Sequence, residues 1–230
     1  MYTETDEKQL QILVAQARAY LTAYEIAHQE ELSALKEDAN EWEATVPVKH
    51  RWYFSPPSNF AQTLALLIHH LDKAEKPLET TEPFALRLRR VLQGKHILDI
   101  GARHGVFVKF LCDEGIDAQG IDPNRQLIRL VNKHRIAVYP MGYEDLIASQ
   151  LFDAVVTTAL TSPTAPHDMN FSERDLARKI AGALKPGGFN ANIVSDKRNA
   201  MRPEYLESAG LQVIHHGELI NRHVALARKP

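Results

Sequence analysis

The sequence predicts an α/β fold: a doubly wound, mostly parallel sheet over residues 82–230, preceded by an all-helical region over residues 1–81. Three observations predict it. From Lys95 onward, short apolar runs alternate with amphipathic helical patterns, as in a parallel sheet with crossover helices. Before about residue 82 no strand pattern is evident. Between the two regions, GKHILDIGARHG (94–105) is an apolar strand that ends on Asp99 and turns sharply through Gly101 and Gly105 into a helix.

The amino-terminal region opens with a long helical pattern over 6–39, started by Thr3 or Thr5 with Glu4, Asp6 and Glu7 suited to a helix amino end. Its apolar positions, Leu10, Leu13, Ala17, Leu21, Tyr24, Leu32 and Leu35, recur at steps of three and four or their sums and so form one stripe. Alanine and tyrosine in that stripe favour a bundle or lid contact over a two-stranded zipper. Pro47, Pro56 and Pro57 break the chain over 46–59. A second helix at about 58–74 carries Phe60, Leu64, Leu67, Ile68 and Leu71, and a third at about 82–92 leads into the first strand.

The carboxyl region reads as strands near 96–100, 118–122, 136–140, 152–158 and 189–195, with helices near 105–114, 123–134, 171–184 and 202–209. Ser172 with Asp175 three residues on has the spacing of a capping box. The end, LQVIHHGELINRHVALARK, reads as two strands joined at Glu218–Arg222.

The glycines after Asp99 let the backbone turn tightly and approach a ligand without Cβ interference. In the helix that follows, Val106, Phe107, Phe110 and Leu111 share one face and pack back onto the sheet. The next strand, AQGID, ends on Asp122, an acid at the carboxyl end of a neighbouring strand, where a ribose can be held by its two hydroxyls.

These residues resemble motif I of the class I S-adenosylmethionine-dependent methyltransferases, D-x-G-x-G-x-G, with Asp99, Gly101 and Gly105 in place. Asp122 in GIDPN is similar to that family's ribose-binding acid, FDAVVTTAL (152–160) to its fourth strand and LKPGGF (184–189) to the turn before its fifth. The resemblance implies a Rossmann-like sheet whose last strand runs antiparallel, and S-adenosyl-L-methionine as cofactor. It implies a cofactor-binding set of Asp99, Gly101, Ala102, Arg103, Gly105, Asp122, Pro123, Tyr143, Glu144 and Thr158. Within that set Asp99 lies near the amino-acid end, Asp122 accepts from the ribose, Tyr143 or Glu144 flanks the adenine, and Thr158 lines the methionine or acceptor side.

The sequence departs from the motif at its middle glycine, here Arg103, and the adenine-contacting Asp has no counterpart in GYEDL (142–146). Arg103 has three readings: a bidentate partner for the cofactor's carboxylate, a solvated side chain, or a cation that fills the cleft and disfavours a sulfonium. His104 and His167 are the candidate bases for an acceptor that must lose a proton.

Composition excludes several classes. At 44% hydrophobic and 24% charged the chain has the make-up of a globular protein. A net charge of −2 gives no global basic field for nucleic acid; the short clusters Arg87, Arg89 and Arg90 and Lys49, His50 and Arg51 read first as solvated helix and loop charge, and RNA stays open only as an acceptor left by elimination. The single cysteine, Cys112, reads as packing in the helix after motif I, consistent with a reducing compartment. There is no apolar signal core and no run near the about 18 residues that would span a bilayer, so a cytoplasmic location is expected.

No histidine pair has zinc-site spacing, and no metal is expected. A nicotinamide fingerprint and a phosphate loop are both missing: from Gly101 the chain reads G-A-R-H-G.

Two functions follow. One is transfer of a methyl group to a small-molecule acceptor covered by the amino-terminal helices, which hold both tryptophans, Trp42 and Trp52. The other is a methyltransferase-like binding or scaffold protein without transfer, with the first helix as a docking or homodimer surface.

Overall fold

In the computed structural model, the described residues are 2–45, 54–72, 82–158, 172–194 and 200–230. Their strands are β1 His96–Ile100, β2 Asp117–Ile121, β3 Val138–Tyr139, β4 Phe152–Thr158, β5 Leu184–Val194, β6 Gln212–Leu219 and β7 Arg222–Arg228. They form one sheet in the order β3-β2-β1-β4-β5-β7-β6. Strand β1 pairs in parallel with β2 on one side and β4 on the other. Strand β7 runs antiparallel between β5 and β6. The strand order reverses between β1 and β4, and in such sheets ligands bind outside the carboxyl ends at that point.

The helices are α1 Glu4–Ala27, α2 Gln29–Thr45, α3 Ala61–Leu71, α4 Phe84–Leu92, α5 Val106–Asp113, α6 Arg125–Lys133, α7 Glu173–Ala183 and α8 Pro203–Ser208. Single 3-10 turns occupy Pro57–Phe60 and Tyr143–Asp145. No described helix is long and apolar enough to cross a membrane.

Thr3 starts α1 as expected. Its hydroxyl accepts from the Asp6 amide at 3.2 Å, and the Asp6 carboxylate accepts from the Thr3 amide at 2.8 Å. The single long helix expected over 6–39 is instead two. The chain turns at His28, whose backbone sits at φ −111°, ψ 23° and whose ring stacks on Tyr24 at 4.3 Å. The Leu32 amide still bonds the His28 carbonyl at 3.0 Å, so the two helices follow one another almost without a gap.

Every residue of the predicted stripe is buried, and within this chain. Leu10, Leu13, Ala17 and Leu21 share a core with Leu64, Leu67 and Ile68 of α3 and with Phe107 and Phe110 of α5. Polar contacts fix the same docking: the Tyr20 hydroxyl donates to Glu114 at 2.9 Å and the Tyr24 hydroxyl to Asp113 at 2.5 Å. The amino-terminal helices are thus keyed to the helix that follows the turn after β1.

The opposite face of the sheet packs Leu98, Ile100 and Val155 against Leu176 and Ile180 of α7 and Leu206 of α8. Ser172 caps α7, its hydroxyl accepting from the Asp175 amide at 3.2 Å.

Three further boundaries differ from expectation. The second helix is shorter than 58–74: Pro57–Phe60 form the 3-10 turn, and α3 spans Ala61–Leu71. Strand β3 keeps only two residues, because it is an edge strand bonded on one side alone. Strand β5 begins at Leu184, opposite Phe152, so LKPGG is part of the strand and not a free turn. The Gly187 amide ties this start to the Lys229 carbonyl at 2.8 Å.

Cys112 is exposed and does not pack in the core; its Sγ donates to the Ala118 carbonyl at 3.3 Å. It falls at the helical angle next to the apolar face formed by Phe107, Phe110 and Leu111, which turns it to solvent.

His70, on α3, stacks on Phe189 at 4.3 Å and bonds the Tyr2 hydroxyl. Burial, with the nearby His69, Arg228 and His215 adding repulsion, holds its imidazole down to about 3. The folded state therefore binds its proton later than the unfolded chain. Stability from this group is complete above about pH 6.5 and is lost as pH falls toward the folded value. Lowering the pH from 7 to 5 should cost wild type about 2 kcal/mol more than His70→Phe. Denaturant titrations of both proteins at the two pH values check this; parallel losses would refute it.

Candidate functional site

The turn from β1 into α5 lies hard against β2. The Gly101 and Ala102 amides both bond the Ile121 carbonyl, at 2.8 and 3.0 Å. A Cβ at Gly120 would stand 2.5 Å from the Ala102 Cβ, so β2 must be bare there. Gly105, at φ +68°, ends the turn; a Cβ there would meet Ile136 and Val138 side chains at 2.8 Å. Between them Arg103 also has a left-handed backbone, φ 52°. It takes up a conformation that a glycine would adopt at lower cost.

Two acids flank this turn. Asp99 is 4% exposed, and its Oδ1 has no hydrogen-bond partner among the described residues. Burial pushes its carboxyl up to about 7; the Arg103 cation pulls the other way and the Asp122 charge adds to the rise. Asp122 is also buried and accepts amide N–H groups from Asn124 at 2.9 Å and Arg103 at 3.2 Å. Its carboxyl is raised by burial against those bonds.

The Arg103 guanidinium faces Asp122, Asp99 and Glu43 of α2, while its burial disfavours the charge. The amino-terminal region thereby contributes a carboxylate to the strand ends. This link joins residues far apart in sequence, and no local motif announces Glu43.

His104 is buried beside Phe54, ring centroids 5.7 Å apart. Its Nε2 lies 3.6 Å from Glu43 Oε1. Burial, then the Arg103 cation, hold the imidazole down to about 4, so it is neutral at pH 7.

A cavity of about 50 Å³ remains among Ser55, Phe60, Asp99, Gly101, Arg103 and His104. Ligand pockets run to about 300–1,000 Å³. The acids and the glycine turn have the chemistry to hold an adenosine and its amino-acid tail. A space of about 50 Å³ with Arg103 on its wall does not admit one.

Of the expected cofactor set, Asp99, Gly101, Ala102 and Arg103 line this cavity, with the candidate base His104. Asp122 and Gly105 stand just behind it through the turn. Pro123 and Glu144 are exposed. Tyr143 is buried among Leu98, Ile100 and Ile121, and its hydroxyl accepts from the Ser172 amide at 3.0 Å. It braces α7 and does not line the cavity. Thr158 ends β4, with its side chain outside the described residues, as are His167, Trp52 and the Lys49–Arg51 cluster.

One acidic and histidine cluster, His28, Glu31 and Asp113, has metal-ligand spacing. Lys109 already supplies a cation there, 2.7 Å from Glu31 and 2.8 Å from Asp113.

No protein-family model matches the chain. Among curated proteins, the Ubiquinone biosynthesis O-methyltransferase of Ralstonia nicotianae is 25% identical over 162 residues, which are 66% of this chain and 59% of that protein. The protein of the same description from Bordetella avium is 25% identical over 124 residues, half of each chain. This chain thus spans between half and three-fifths of the length of these relatives. The solved S-adenosylmethionine dependent methyltransferase from Mesorhizobium loti superposes with a TM-score of 0.49 at 15% identity, covering 60% of this chain and 92% of that one.

The sheet order and its antiparallel β7 agree with the resemblance carried by Asp99, Gly101, Gly105 and Asp122. The chain has the Rossmann-like, mostly parallel doubly wound sheet that this resemblance implies. Within that fold Arg103 stands at the middle glycine of motif I, and Glu43 comes from outside the motifs altogether.

The charge cluster makes a direct prediction. In Arg103→Met the Asp99 carboxyl loses the cation that pulls it down and should titrate above its wild-type value of about 7. Carbon-13 NMR of the aspartate carboxyls follows this; an unmoved Asp99 would show that the guanidinium does not face it.

Proposed function

We propose that this protein is an S-adenosylmethionine-dependent O-methyltransferase acting on a small-molecule hydroxyl under the amino-terminal helices. The observation that carries this reading is the pair of buried carboxyls, Asp99 and Asp122, at the ends of adjacent parallel strands around one glycine turn. Sequence similarity to two O-methyltransferases supports oxygen as the atom methylated.

Asp122 would accept from the ribose hydroxyls, and Asp99 with the turn 101–105 would hold the amino-acid end. The bound cofactor supplies an electrophilic methyl, and transfer asks of the protein mainly alignment and exclusion of water. Segment 54–60 supports such exclusion, since Ser55 and Phe60 wall the cavity. Cofactor entry requires the Arg103 side chain to swing outward. His104 is a weak base while buried and neutral.

A second reading has its own observation. The Arg103 cation, set among three carboxyls, lines a cavity of only about 50 Å³, which favours a methyltransferase-fold protein that no longer transfers.

Calorimetric titration with S-adenosylhomocysteine, in parallel with NAD, separates the two. The enzyme reading expects S-adenosylhomocysteine to bind and NAD not to. Asp122→Ala should then weaken binding by about 1–3 kcal/mol, because the ribose hydroxyls lose a charged acceptor. Arg103→Gly should strengthen it by about tenfold, because it empties the cleft and relieves the left-handed backbone. Absence of heat at millimolar ligand in both wild type and Arg103→Gly would retire the enzyme reading in favour of the second.

A further inference from the structure

A second and larger cavity lies at the same end of the sheet. It measures about 340 Å³ and is walled by Arg18 and Thr22 of α1, Ser58 and Asn59 of the 3-10 turn, Gln62 of α3 and Arg222 of β7. Register fixes its level. Val194, at the carboxyl end of β5, pairs with His223, and Ile193 with Thr158 of β4, so Arg222 stands just beyond the strand ends that form the Asp99 site. One short segment divides the two spaces: Ser55 and Phe60 face the Asp99 cavity, and Ser58, Asn59 and Gln62 face this one.

The lining is cationic and rich in neutral polar groups. Two guanidiniums share the cavity, and neither Arg18 nor Arg222 has a carboxylate within ion-pair distance among the described residues. Arg222 is held in place, its Nε donating to Gln62 Oε1 at 3.1 Å, while Gln62 Nε2 donates to the Ile220 carbonyl at 2.7 Å. That bond uses the Nε, and the two terminal nitrogens of the fork remain as donors for a ligand. Glu25, the nearby acid, accepts from the Ser58 amide at 2.5 Å and so orders the wall. Like charges placed together without a counter-ion repel, and a guanidinium fork is matched in shape to a carboxylate or phosphate.

We propose that this cavity binds the oxyanion group, carboxylate or phosphate, of a small molecule, with Arg18 and Arg222 as its cationic partners. The volume suits a small ligand rather than a bare ion alone. Because segment 55–62 walls both this cavity and the one at Asp99, that small molecule is the methyl acceptor; this last step rests on the methyltransferase reading above. The acceptor then carries its anionic group away from the reacting hydroxyl, and the arginine pair selects it by charge.

The test uses the full chain at low ionic strength, with benzoate and inorganic phosphate as separate probes and amide NMR as the readout. Saturable shifts at Ser58–Gln62 and Arg222 are expected for at least one probe, and the tighter probe identifies the group. Arg18→Gln should weaken that binding by about tenfold, as should Arg222→Lys, which keeps the charge but loses the fork. Arg129→Gln, at an exposed position of α6, should leave it unchanged. Melting curves establish that each variant is folded.

Absence of saturable shifts with both probes, or equal weakening by Arg129→Gln, overturns the site. S-adenosylhomocysteine binding is measured on the same samples. Anion binding without it would keep the site and remove the acceptor assignment; the converse would remove the site and keep the cofactor reading.

Discussion

The close seating of the turn 101–105 on β2 constrains every group at the carboxyl end of the sheet. A Cβ at Gly120 would meet Ala102 at 2.5 Å, and one at Gly105 would meet Ile136 and Val138 at 2.8 Å. With both positions bare, the turn amides reach the Ile121 carbonyl and the Arg103 amide reaches Asp122. Asp99 and Asp122 are thereby buried on either side of a single backbone loop. Two buried carboxyls so close together resist ionising together, and the Arg103 cation offsets part of that cost.

The arginine therefore has a double effect. It offsets charge that the fold concentrates, and it lines the small cavity beside those acids. A glycine in its place would have a relaxed backbone and an open cleft, with the acids left unbalanced. The chain thus combines two buried acids at a glycine turn with a resident cation.

The amino-terminal helices are not a loose cover. Their stripe is buried in the same core as α3 and α5, and Tyr20 and Tyr24 tie them to the end of α5. Through α2 they bring Glu43 to Arg103 and His104, and through segment 54–62 they wall both cavities. Displacing these helices would therefore mean opening the core they share with α3 and α5.

Much of this was legible in sequence because it rests on local pattern. The apolar strand ending on Asp99, the acid at Asp122, the caps at Thr3 and Ser172 and the stripe from Leu10 to Leu35 all follow from neighbours a few residues apart. Tyr143 was misleading because a tyrosine after a short strand suits a ligand wall and a core brace equally, and only the Ser172 amide decides between them. Cys112 likewise sits in an apolar segment yet points outward by one helical step. The sequence by itself determined the strand order's raw material, the placement of two acids beside a glycine turn, and an arginine where that turn expects a glycine. Only the tertiary structure decided that Arg103 turns inward to three carboxyls, that Glu43 is one of them, and that Arg18 and Arg222 share a cavity. Those outcomes depend on contacts between segments that are distant along the chain, and side-chain direction across such contacts is set by packing, which no local spacing encodes.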